Sequence, residues 1–306
     1  MKHIAMKHIA VVILGAIFVP AILFSQTQNI SHRFLKSGSG AGSLALVAKD
    51  GTVEWDYPMP GESNESWLLP NGNIFFAFRS GVREVRPDKS SVWEFPAPKG
   101  SEIQGCQPLG ENLFLVAESR PDGVTALYEM DRTGKISKTV ELKLGGDSHS
   151  QVREVRKTPQ GTYLVCQQRN GGKAMEFDAE GKLLRTFVSG RFVAERLPNG
   201  NTLIGCGDDH RVIEVDPQDK IVWEVNQNDI PGITLGFAAG VVRMANGNTV
   251  ICNWGGHGGV SKDQPFVFEI TPEKKVVWEV KDPKMKLISC IRILNEETLT
   301  PTSPSK

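Results

Sequence analysis

The run 191–224, RFVAERLPNGNTLIGCGDDHRVIEVDPQDKIVWE, is the feature that most constrains this chain. It holds four short segments, at 193–196, 202–205, 212–215 and 221–225, in which apolar residues are interleaved with polar or small ones. That period of two is the pattern of a half-buried strand. Asn199-Gly200 joins the first two segments, and Asn-Gly predicts a tight hairpin with positive φ at both central residues. Asp216-Pro217 joins the last two, where proline fixes φ and cannot continue a central strand. The unit is a four-stranded antiparallel meander.

The unit recurs. Its Asn-Gly hairpin returns with the turn glycine at Gly72, Gly161, Gly200 and Gly247, and in degenerate form at Glu111 and Glu296. The second hairpin is followed by Trp55, Trp93, Trp223 and Trp278, with Lys138 and Arg185 at the equivalent places. Spacings run from 38 residues (Trp55 to Trp93) to 55 (Trp223 to Trp278). Six members of each series predict an all-β, six-bladed β-propeller of four-stranded antiparallel blades. No long 3.6-residue period exists to support a helical solenoid. The segment 32–57 aligns with the last three strands of the unit, and 287–294 with the missing first strand. The ring is therefore expected to close by one C-terminal strand joining three N-terminal ones, which removes two exposed sheet edges.

Lys2 and Lys7 precede an apolar run at 9–24, a secretory signal pattern. The run contains Pro20 and is short for a membrane span. MKHIA is duplicated, so Met6 is a second candidate start. The expected organisation is a signal peptide at 1–25, a linker at 26–31, the propeller at 32–299 and a disordered Pro-rich tail at 300–306. The mature protein is expected to be secreted or periplasmic, with no membrane span after cleavage. A formal net charge of zero argues against nucleic-acid binding.

Five cysteines are present, and Cys166 and Cys252 share a repeat position with Ala77 and Gly205, where a small residue is wanted. Buried thiols are the expected state, with a disulfide left open. The outer-strand tryptophans are expected to pack between blades.

In a meander blade the two hairpin turns lie on one face, and the second-to-third loops and blade links on the other. The irregular length falls on that second face, where binding residues are generally carried. His149, His210 and His257 lie there, as do Arg79, Arg120, Arg169, Arg191 and Trp254. His149 stands just before an innermost strand and is a candidate nucleophile, base or ligand. His257 is flanked by glycines that permit close backbone approach to a ligand. The arginines could clamp an anion. Asp208-Asp209-His210 offers metal-ligand types without a supporting spacing. The sequence assigns neither a metal nor a cofactor. The partner expected on this face is a small molecule or a protein; an assembly role would use an exposed patch at Ile230, Ile233 and Leu235.

The repeats DGTVEW, DPQDKIVWEV and LPNGNTLI resemble those of the pyrroloquinoline-quinone-like propeller superfamily over nearly the whole mature chain. The vicinal cysteine pair and calcium site of its quinoprotein dehydrogenases are not present, so this resemblance implies fold rather than quinone chemistry. His149, followed by QVREVRKTPQGTYLV, is similar to the His-then-hairpin arrangement of bacterial arylsulfotransferases. That likeness implies a transferase or hydrolase of anionic esters, with His149 as nucleophile and His257 or His210 as helper. The stronger likeness is to exported bacterial propellers without assigned chemistry, which implies ligand binding without catalysis.

Overall fold

A computed structural model of the chain describes residues 31–168, 171–258 and 260–300. The expected signal peptide, Arg169 and positions 301–306 of the expected tail lie outside the described residues. Six four-stranded antiparallel sheets follow one another around a ring. The described residues hold one helical turn, Pro283–Met285, and no helix long and apolar enough to cross a membrane. The innermost strands are Cys290–Leu294 in blade 1, then Glu65–Leu68, Glu102–Gly110, Val155–Lys157, Val193–Arg196 and Ala238–Arg243 in blades 2 to 6. Each packs beside its neighbour around the axis.

Closure occurs as the repeat phase predicts. Cys290–Leu294 pairs with Arg33–Ser37, in register from Arg33 with Leu294 to Ser37 with Cys290, and completes the sheet of Ser43–Val47 and Val53–Pro58. Thr300, expected to begin the tail, is buried, and its hydroxyl accepts from the Arg243 N–H.

The Asn-Gly turns differ from expectation. Gly72, Gly200 and Gly247 have positive φ, but Asn71, Asn199 and Asn246 do not. Each asparagine side chain instead accepts from the N–H two residues on, at 3.0 Å. The turns close one residue earlier, by the glycine N–H donating to the carbonyls of Leu69, Leu197 and Met244, which puts asparagine at the third position of a type I turn and leaves only glycine left-handed. Pro70 and Pro198 suit the second position of two of them, and Ala245 fills it in the third.

A polar latch repeats between blades. The third strands carry Glu84, Glu129, Glu176, Glu214 and Glu269 at one register position, opposite Trp93, Lys138, Arg185, Trp223 and Trp278. Each carboxylate takes a cation from the next blade: Arg132, Lys157, Arg196, Arg243 and His32 respectively. Blade 1 has Leu46 there, opposite Trp55, and its seam with blade 2 is aromatic, through Trp55, Tyr57 and Phe76.

His32 is the latch that closes the ring. Its Nε2 lies 2.8 Å from Glu269 and its Nδ1 3.0 Å from Glu296. Burial alone would lower its pKa, but the two carboxylates outweigh that and raise it. A folded pKa above the unfolded one gives stability that is fully present below about pH 6.5 and is lost as pH rises through the folded value. Stability is therefore expected to fall from pH 6 towards pH 9, and His32→Gln to flatten that slope in denaturant titrations. An unchanged slope in the variant would place the titration elsewhere.

The tryptophans pack between blades as expected. Trp55 donates to the Pro87 carbonyl and Trp223 to that of Pro272, each in the following blade. Trp93 packs on Phe114 and Trp278 on His32 and Phe34. All five cysteines are free and buried, and burial pushes the Cys106, Cys166 and Cys252 thiols well up. At Gly205 a Cβ would stand 2.3 Å from the Ala239 carbonyl of the next blade, which is why this repeat position admits only small residues. Ile230, Ile233 and Leu235 are buried rather than exposed, so the long link holds no apolar docking patch.

Candidate functional site

The loops of blades 1, 4, 5 and 6 and the adjoining links enclose a cavity of about 420 Å³ over the channel mouth. Its lining runs from Ser39 across Asp147, Ser150, Arg153 and Gln168 to Arg191, Asp208, Trp254 and His257. One wall is aromatic. Phe192, Phe237, Trp254 and His257 meet edge to face, with ring centroids 4.8–5.6 Å apart. Trp254 Nε1 donates to the Ser39 carbonyl at 3.2 Å, tying blade 6 to blade 1. Gly256, beside His257, lets the loop fold against this wall: a Cβ there would fall 1.9 Å from the Trp254 ring.

Two polar chains border the cavity. In the first, Arg153 Nη1 donates to Glu62 at 2.9 Å and also to Gln104, and Ser39 donates to Glu62. Gln104 donates to Glu102 at 2.9 Å, and Glu102 also holds His149 Nδ1 at 2.8 Å and Arg79 at 2.7 Å. Burial lowers the Arg153 guanidinium, with Glu62 opposing it. Burial alone would raise the Glu62 carboxyl, but Arg153 beside it holds it below the usual range. In the second chain Asp208 accepts from Arg191 and from His257 Nδ1, the latter at 2.8 Å.

Beneath the cavity the channel is filled by charge. Arg156 bonds Glu65, Glu154 and Glu195; Arg292 lies 3.1 Å from Glu65 and 3.4 Å from Glu195. Both guanidiniums sit over the Trp67 ring, and all six side chains are buried. Burial first, then the Glu65 charge, pushes the Glu154 carboxyl well above its usual range. Two guanidiniums therefore serve three carboxyl groups, and Glu154 is the one whose ionised form burial opposes. A second cavity, of about 340 Å³, opens on the hairpin face and ends on Arg156 and Glu195. The layer thus separates two mouths.

The structure brings Arg191, Trp254 and His257 together in the cavity wall. His149 and Arg79 share Glu102 one step behind it, and His149, with 35% of its side chain exposed, makes no hydrogen bond to His257 among the described residues. His210 is elsewhere, its Nδ1 bonded to the Gly236 carbonyl. Arg120 is also apart, held on blade 3 by Glu141 and Tyr128. Sequence reasoning missed Ser39, Arg153, Gln168, Phe192 and Phe237, and the whole buried layer. Its available signal was charge at mid-strand positions of innermost strands, as in VREVRK, VAER and CIRIL. Among the described residues no three His, Cys, Asp or Glu side chains gather as a metal site.

No family model matches the chain, and no curated protein matches it. Among solved structures, virginiamycin B lyase from Staphylococcus aureus superposes with a TM-score of 0.54 at 12% identity, covering 80% of this chain and 79% of that one. The WD40 propeller domain of Doa1 gives 0.52 at 18% identity, covering 71% and 70%. At those identities the likeness is one of fold alone. A protein of unknown function from Bacteroides caccae is 32% identical, with a TM-score of 0.78 over 87% of this chain and 100% of that one. At that identity over that protein's full length, this chain belongs to the same family as the Bacteroides caccae protein.

Proposed function

We propose that this is an exported propeller that binds a small ligand in the loop-face cavity, without catalysis. The observation that carries the reading is the cavity itself: about 420 Å³, with an aromatic wall facing fixed polar groups from four blades. Ligand pockets of roughly 300–1,000 Å³ have this make-up, mostly apolar with a few convergent polar groups. The supporting side chains are already held by one another, so little ordering is left for a ligand to impose. A ligand at 100 times its dissociation constant is expected to add about 2.7 kcal/mol of stability. Thermal unfolding against a panel of small molecules tests this, and a shift that survives Trp254→Ala would place binding elsewhere.

One observation favours a second reading, the arylsulfotransferase-like one. Glu102 lies 2.8 Å from His149 Nδ1, a carboxylate–imidazole pairing of the kind that orients a nucleophile or base. Against it, His149 and His257 bond different carboxylates, Glu102 and Asp208, and share no hydrogen bond among the described residues. Turnover of 4-nitrophenyl sulfate that disappears in His149→Ala would establish that reading.

A further inference from the structure

We infer that the ligand of the loop-face cavity is an uncharged polyhydroxylated ring, a saccharide. The inference rests on the binding reading above and names the class of molecule bound. Charge argues first. The two guanidiniums in the lining, Arg153 and Arg191, already face the carboxylates of Glu62 and Asp208. Asp147 adds a further carboxylate, held below the usual range by the N–H groups of His149 and Ser150, which outweigh its slight burial. Among the described lining residues an incoming anion meets no unneutralised cation and one further carboxylate, while an incoming cation meets carboxylates already engaged by guanidinium or backbone N–H groups.

Hydrogen-bonding polarity argues second. Gln168 Oε1 is buried and has no hydrogen-bond partner among the described residues. With Asp147 and Asp208 it adds acceptor oxygens to the lining. A buried acceptor left empty costs free energy, which is recovered when the Gln168 side chain turns to a ligand O–H. A sulfate or phosphate ester, ionised at neutral pH, has no donor on its charged group. A sugar ring has one on every hydroxyl.

Shape argues third. The rings of Phe192, Phe237 and Trp254 pack together as one apolar part of the lining. A pyranose combines C–H surface for such a wall with hydroxyls directed sideways to planar carboxylate and amide groups. No purely apolar molecule would satisfy Gln168, and no linear polyol would cover the aromatic wall.

The test is titration calorimetry of the full chain, following a screen on an array of neutral glycans, with 4-nitrophenyl sulfate and choline as charged probes. Saturable heat is expected from at least one neutral glycan and from neither charged probe. Trp254→Ala is expected to weaken binding roughly tenfold, the size of a lost aromatic contact. Gln168→Leu, which keeps the volume, serves where Trp254→Ala disturbs folding, and is expected to weaken binding to a similar degree. Saturable, Trp254-dependent heat from sulfate or choline alone would overturn the saccharide class while keeping the cavity as a binding site. No saturable heat from any probe or glycan would overturn both.

Discussion

Replacing Arg156 by Leu is expected to remove about 3–5 kcal/mol of unfolding free energy, the cost of breaking a buried ion pair by deleting one partner. Arg156 serves Glu65, Glu154 and Glu195 at once. Without it, Arg292 alone would face three buried carboxyls. For a domain of this size that corresponds to a Tm roughly 10 °C lower. The deficit has a pH signature: acid would protonate the stranded carboxylates, so the gap between variant and native protein is expected to narrow from pH 7 to pH 5. Glu154→Gln is the companion variant. A buried carboxyl whose folded pKa is raised takes up a proton on folding at any pH between its unfolded and folded values. Through that window the native protein loses up to about 1.4 kcal/mol per pH unit as pH rises. Glu154→Gln removes this cost and should be at least as stable as the native protein at pH 7. Denaturation of the three proteins at the two pH values decides the matter, and a destabilised Glu154→Gln would mean that Glu154 is ionised in the fold.

Deleting the chain from residue 289 onward is expected to abolish cooperative unfolding altogether. Ile291, Ile293 and Leu294 of the closing strand are all buried, and each contributes about 1.5–3 kcal/mol by leaving water. Their sum is comparable with the whole stability of a typical domain, about 5–15 kcal/mol. The deletion also removes Arg292 from the channel and leaves Arg33–Ser37 as a bare edge, open to pairing with other copies. Loss of near-ultraviolet circular dichroism and growth of aggregates on size exclusion are the expected readings. A circular permutant joining residue 300 to residue 31, with new ends at the turn between Gln160 and Gly161, should restore cooperativity because every strand pair survives. A sharp transition in the deletion variant would show that five blades and a remnant suffice.

Blade number, strand order and the composite first blade were legible because Asn-Gly turns and outer tryptophans, or their degenerate equivalents, recur in every repeat. The turn type at Asn71, Asn199 and Asn246 was not legible from the Asn-Gly pair, since each turn closes one residue earlier, on Leu69, Leu197 and Met244, and needs positive φ only at the glycine. The loop face was legible as a face, from loop length alone. Which of its residues converge was not. Ser39 and Arg153 stand on different blades, and their distance depends on ring curvature that no single repeat encodes. Arg120 and His210 satisfied the same loop-face criterion as Arg191 yet turn to Glu141 and to the Gly236 carbonyl instead. The buried layer was opaque for a different reason. Each of Glu65, Arg156, Glu195 and Arg292 breaks the apolar pattern of its own strand, and only their mutual neutralisation makes burial acceptable. The latch glutamates occupy one register position in five blades and could have been aligned, but their partners come from the next blade.

The pairing of Arg33 with Leu294 has a practical consequence for orientation. Both residues stand at the hairpin-turn end of blade 1, so the chain enters and leaves the ring side by side on the face opposite the aromatic cavity. Anything attached beyond these strands, whether an affinity tag, a surface linker or a fused second protein, hangs from the hairpin-turn side. An array of molecules immobilised that way presents every cavity mouth outward to solution.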